Sequence, residues 1–163
     1  MVSFSSLEFI FRFLLIFLIV YFATPVKYKD IALLAGSLVF YALGEPVFIF
    51  VLIFTTLVNY FLGRQAWKLG EGFLVQDWQN KKRKRLIIGA IVFDVLVLAV
   101  FKGLATFADS ALLPLGISFY IFKMISFQAD ILRGEIWSIP KFRSTALYFT
   151  MFPQVTSGPI MRY

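Results

Sequence analysis

Neither histidine nor cysteine occurs in this 163-residue chain. The first absence removes the imidazole that most often serves as general base or metal ligand. The second excludes disulfides, thiolate nucleophiles, thiolate metal sites and palmitoylation of this chain. No metal site and no bound cofactor is therefore expected. Charge is scarce too: charged residues make up 15%, with sixteen basic against nine acidic and a net charge of +7. What fills the chain instead is 60% hydrophobic residues, 21 of the total being Phe, at a mean hydropathy of +0.84. That balance belongs to an integral membrane protein whose immediate partner is lipid. A spanning helix takes about 20 apolar residues, so one membrane domain over residues 1–163 has room for five or six spans. The first apolar stretch lacks the basic start and small-residue cleavage site of a signal peptide, so it reads as a retained helix.

The expected fold class is all-α, a polytopic bundle of about five spans followed by a broken C-terminal segment. The first helix runs from Leu7 to Ala23 and stops before Pro25, with Arg12 near its end. The second, Ile31 to Leu43, has 13 residues, which rise about 20 Å and fall short of a full hydrocarbon core. After the Gly44-Glu45-Pro46 break come a third helix, Val47 to Leu62, a fourth, Leu86 to Phe101, and a fifth, Leu112 to Leu132. Between the third and fourth lies a polar stretch, Arg64 to Arg85, whose Trp67, Phe73, Leu74 and Trp78 suggest a segment lying at the membrane interface.

The basic residues fall in alternate connections. Lys27 and Lys29 follow the first helix, Arg64, Lys68 and Lys81–Arg85 the third, and Arg133, Lys141 and Arg143 the fifth. Basic residues near helix ends are retained on the cytoplasmic side, so these three connections are expected there and the N-terminus outside. The run KKRKR (Lys81 to Arg85) reads first as such a topology determinant, with contact to anionic headgroups a compatible second role. Nucleic acid is not an expected partner.

Ionisable residues inside spans are costly and call for a functional reading. Asp94 lies eight residues into the fourth helix, and Lys123 nine residues from the end of the fifth. Both are about 12 to 14 Å deep at 1.5 Å per residue. They are candidates for an intramembrane ion pair; a snorkelling Lys123 beside a hydrated Asp94, or a place on a substrate path, are the alternatives. Asp130 and Arg133, three apart, suit a local pair. Ser118, Ser126 and Gln128 are either interhelical hydrogen-bond partners or lining of a polar cavity.

The last segment is apolar over Ser144 to Phe152, only nine residues before Pro153, and Gln154, Thr156, Ser157, Gly158 and Pro159 follow directly. A helix so short and interrupted survives at membrane depth only where protein covers it or where it lines a wet cavity. A re-entrant cavity wall is one expectation and an interfacial segment the other.

Four stretches carry a family likeness in order: FSSLEFIF near the start, SLVFYALGEPVFIFVLIFTTLVNYFLG from Ser37 to Gly63, PLGISFYIF (Pro114 to Phe122) with FQADILRG, and FPQVTSGPIMRY (Phe152 to Tyr163). Together they resemble the N-terminal portion of the membrane-bound O-acyltransferase family, in its bacterial alginate O-acetylase-like branch. Asp94, Ile121 and Lys123 depart from the Asn, Thr and Gln usual there. The resemblance implies a multi-pass enzyme of the bacterial cytoplasmic membrane that moves an acyl group, acetyl in this branch, from acetyl-CoA or another acyl thioester to hydroxyls of an extracellular polysaccharide such as alginate. It implies extracytoplasmic acetylation partners as well. Pro153, Gln154, Gly158, Pro159 and Arg162 match positions that shape the tunnel region and its substrate-binding path. The family's active histidine has no counterpart here, so no catalytic residue is carried over, and the chain alone reads as an inactive fragment. Two alternatives stand beside this reading: the branch that exports D-alanyl groups to teichoic acids, and a catalytically dead membrane scaffold or transporter-like module.

Overall fold

The computed structural model describes residues 13–70, 77–107, 113–114 and 116–151, the side chains of 77–79 excepted. All secondary structure among them is helical. The helices are α1 (Leu15–Ala23), α2 (Lys29–Gly44), α3 (Ile49–Gly70), α4 (Asp77–Phe107), α5 (Ile117–Arg133) and α6 (Phe142–Thr150), with a 3₁₀ turn, Val26–Tyr28, between the first two.

Local chemistry sets the breaks. Thr24 takes extended backbone at the end of α1, returning its Oγ1–H to the Val20 carbonyl at 2.6 Å, and Pro25 forbids continuation. Glu45 and Pro46 interrupt the chain between α2 and α3. At the end of α5, Gly134 adopts φ +77°, and the N–H groups of Gly134 and Glu135 turn back to the carbonyls of Ile131 and Asp130. That closure requires a left-handed residue, which glycine takes without a Cβ penalty.

α3 and α4 lie along each other and α5 packs on both, while α6 is seated against α2, α3 and α5; α1 leans on α2. The core comprises Tyr41, Leu52, Ile87, Tyr120, Met124, Phe127 and Phe149, with the Phe127 and Phe149 rings edge to face at 5.4 Å. Gly63 lets α3 approach α5: a Cβ there would stand 2.5 Å from Phe127 Cε1. Outside this core much of the surface is apolar. Ile88, Val92, Val95, Leu96, Val100 and Leu104 form an exposed stripe along α4, whereas Asn59, Asp94 and Gln128 are fully buried. This is the inverse of a water-facing protein and fits a hydrocarbon solvent.

Two helices among the described residues are long and apolar enough to cross a membrane, Ile49–Gly70 and Asn80–Phe107. α2 and α5, at 16 and 17 residues, rise only about 24 to 26 Å, short of a core of about 30 Å. The expected fourth helix is longer than its apolar run, starting at Asp77, and the third continues to Gly70. Residues 64–70 and 77–85 of the expected interfacial stretch are thus the polar ends of two helices, while its Phe73 and Leu74 lie outside the described part. The reason is that hydropathy marks where lipid ends, whereas Gln, Lys, Arg and Leu without proline propagate a helix equally well in water. α6 keeps the expected nine residues, shifted to Phe142–Thr150, and buries Thr145, Ala146, Phe149 and Thr150. Protein covers it on one face.

Candidate functional site

A polar network ties three helices together in the core. Asn59 stands on α3, one turn after Thr55, and its Nδ2 donates to the Thr55 carbonyl at 3.1 Å and to Asp94 Oδ1 of α4 at 2.6 Å. From α5, Gln128 Nε2 donates to the Asn59 backbone oxygen at 2.9 Å and to Asn59 Oδ1 at 3.1 Å. Met124, one turn before Gln128, brings its sulfur to 3.4 Å from Asn59 Nδ2. Every one of these side chains is 0% exposed. The amides therefore run in one direction, Gln128 to Asn59 to Asp94, each bond polarising the next, and end on a carboxylate. The 2.6 Å contact to Asp94 is the shortest in the network.

The expected ion pair is not made. Among the described residues Asp94 Oδ2 and Lys123 Nζ both lack a hydrogen-bond partner, and the ammonium stands over the Tyr148 ring of α6, 5.8 Å from its centroid. The cause is geometric. Asn59 takes the Asp94 carboxylate toward α3, while Lys123, one residue before Met124 and so about 100° around α5, turns toward α6. Matching depth in two neighbouring helices does not place two side chains on facing sides.

Two further buried atoms, Gln128 Oε1 in this network and Thr56 Oγ1 on α3, have no hydrogen-bond partner among the described residues. Such atoms are where water or a polar ligand finds its bonds. The arrangement can hold and orient a hydroxyl or amide, but it presents no activated nucleophile. Among the described residues no cluster of acidic side chains could hold a metal ion. The tunnel residues Pro153, Gln154, Gly158, Pro159 and Arg162 lie outside the described part.

Sequence reasoning gave Gln128 its interhelical bond as one alternative and passed over Asn59, the hub. The signal was present, since Thr55, Thr56 and Asn59 stand within a largely apolar run.

Known proteins that resemble the chain point one way. A probable alginate O-acetylase AlgI of Pseudomonas fluorescens is 35% identical over 162 residues, covering 98% of this chain and 31% of that protein. The probable alginate O-acetylases AlgI of Azotobacter vinelandii and Pseudomonas aeruginosa are each 30% identical over 177 residues, again covering 98% of the chain, and 34% and 33% of their own lengths. This likeness supports an alginate O-acetylase-like family of membrane-bound O-acyltransferases. The chain spans about a third of the length of these relatives. No family model matches it, and no solved structure does.

Proposed function

We propose that this chain forms the first part of a membrane-bound O-acyltransferase that places acetyl groups on hydroxyls of an alginate-like polysaccharide. The observation that carries the reading is a likeness to alginate O-acetylases running through 98% of the chain. The inverted burial supports it, with Asn59, Asp94 and Gln128 inside and a valine- and leucine-rich face outside. On this reading five segments cross the bacterial cytoplasmic membrane with the N-terminus outside, α2 and α5 spanning with their flanking residues. α6 is a half-helix leading into Pro153, Gln154, Gly158, Pro159 and Arg162, which shape the acyl-transfer tunnel. Acetyl-CoA or another acyl thioester is the donor, and extracytoplasmic proteins hand on the polymer.

These 163 residues contain no histidine, so a histidine general base comes from residues beyond them. The contribution of this part is then a framework. A rigid three-helix polar network positions the half-helix and excludes bulk water from the path, and positioning alone supplies a large share of acyl-transfer catalysis. The test is genetic: the full gene carrying this sequence is expressed in an alginate-producing host that lacks its own acetylase, and polymer O-acetyl content is read by NMR. Restored acetyl esters support the proposal. Unacetylated polymer from a well-inserted protein, or D-alanyl esters on teichoic acid in a suitable host, would overturn it.

A further inference from the structure

At the polar ends of α3 and α4, away from the Asn59 network, lies a separate cavity of about 280 Å³. Its walls include Trp67 and Gly70 of α3, Arg83 of α4, and Ile131, Gly134 and Trp137 around the end of α5. Each wall has a physical reason. Arg83 reaches across from α4 and donates through Nη2 to the carbonyls of Ile131, which also accepts from the Gly134 N–H, and of Leu132 in the last turn of α5. Gly70 leaves room for that reach, since a Cβ there would lie 2.8 Å from the guanidinium carbon. Trp67 Nε1 donates to the Ile136 carbonyl at 2.9 Å and fixes the loop after α5, while Trp137 next to it is 95% exposed.

The guanidinium is not used up. It carries five N–H donors in a planar fork, and its buried Nε–H has no acceptor among the described residues. Lys81, Lys82, Lys84 and Arg85 flank it in sequence, all exposed, and give this end of α4 a strongly basic character. Depth narrows the choice of anion. Arg83 precedes Leu86, where the apolar run of α4 begins, by three residues, which places it about 4.5 Å outside the hydrocarbon. The headgroup layer occupies that level, and an exposed indole is at home there.

We propose that this cavity holds the phosphate of an anionic glycerophospholipid, with Arg83 as its clamp and the Trp137 indole against the glycerol region. A phosphate suits the site because the planar fork matches two phosphate oxygens, which a lone ammonium does not. A lipid-borne phosphate suits it better than a soluble one because the mouth stands at headgroup level and carries a bare tryptophan. The site does not depend on the acyltransferase reading.

The experiment uses the protein in phosphatidylcholine nanodiscs that contain a minority of phosphatidylglycerol brominated near the headgroup. The fluorescence difference between wild type and Trp137→Phe isolates Trp137. Its quenching should saturate with brominated phosphatidylglycerol and not with brominated phosphatidylcholine. Loss of a charge-assisted, two-pronged contact should raise half-saturation about tenfold or more in Arg83→Gln. Gly70→Ala, which keeps every charge and pushes the guanidinium aside, should shift it in the same direction, so the result survives if Arg83→Gln folds poorly. Lys84→Gln, which removes only general surface attraction, should leave half-saturation within about threefold of wild type. Equal quenching by both lipids, equal effects of Arg83→Gln and Lys84→Gln, or displacement of the lipid by soluble glycerol 3-phosphate would each overturn the proposal.

Discussion

Replacement of Asn59 by leucine tests whether the buried network holds α3, α4 and α5 together. The substitution keeps the bulk and improves helix propensity, so its cost isolates the lost hydrogen bonds. Asp94 Oδ1 loses its 2.6 Å donor, and since Oδ2 has none already, the carboxylate is left bare; Gln128 keeps the backbone oxygen of residue 59 but loses the side-chain one. An orphaned neutral group costs about 1–3 kcal/mol, and breaking a buried charged contact about 3–5 kcal/mol. Interhelical hydrogen bonds in bilayers average only about 0.6 kcal/mol, because the separated helices find other partners there. The carboxylate makes the case more severe than that average, and Asn59→Leu should lose about 2–3 kcal/mol. Asp94→Leu alone should cost less, since an amide remains and no bare charge does. The double replacement removes both the donor and the charge and should recover at least about 1 kcal/mol relative to the sum of the singles. SDS titration of the protein in mixed micelles, followed by far-UV circular dichroism, measures all four corners of the cycle. Additivity within about 0.5 kcal/mol would refute the network as an energetic unit.

Lys123 is a buried amine with no hydrogen-bond partner among the described residues, so Lys123→Gln should stabilise the same protein, and its effect should add to that of Asp94→Asn within about 0.5 kcal/mol; a strong favourable coupling in the titration would restore the ion pair. Gly63→Ala should cost about 1–3 kcal/mol through collision with Phe127 Cε1 at 2.5 Å, and Phe127→Leu should relieve part of that loss in the same titration. Burial lifts the Glu45 carboxyl above its ordinary value, so the folded state binds that proton more tightly than the unfolded one. Stability should therefore decline as pH rises from the ordinary carboxylate range through the raised value, and Glu45→Gln should flatten that part of a pH series.

Much of the architecture was legible because lipid imposes a coarse code. Apolar runs broken at Pro25 and Gly44–Pro46 located the first helices, and the nine-residue length before Pro153 signalled a helix too short to cross. Helix ends were less legible, since Arg64–Gly70 and Asp77–Arg85 are polar and still helical: hydropathy reports the solvent, and the backbone does not stop where the solvent changes. The Asp94–Lys123 pairing failed for a different reason. Depth along a helix can be counted from the sequence, but the angle around the axis at which neighbours meet depends on packing, and here Asn59 and Tyr148 took the two side chains to opposite sides. Four matched stretches pointed to the family because motif order is independent of that angular uncertainty.

The Asn59 network also sets a timetable for the membrane's insertion machinery. Asp94 follows Asn59 by 35 residues and Gln128 follows it by 69. At about 5–20 residues per second, Asn59 waits some seconds for Asp94 and about twice as long for Gln128. A carboxylate entering alone would have no donor, so α3 and α4 are expected to leave the translocon as a prepaired hairpin. α5 then docks onto an amide that is already oriented, and a ribosome stalled between the two events would leave a recognisable intermediate whose Asn59 oxygens are still available to a quality-control protease or to a wrong helix.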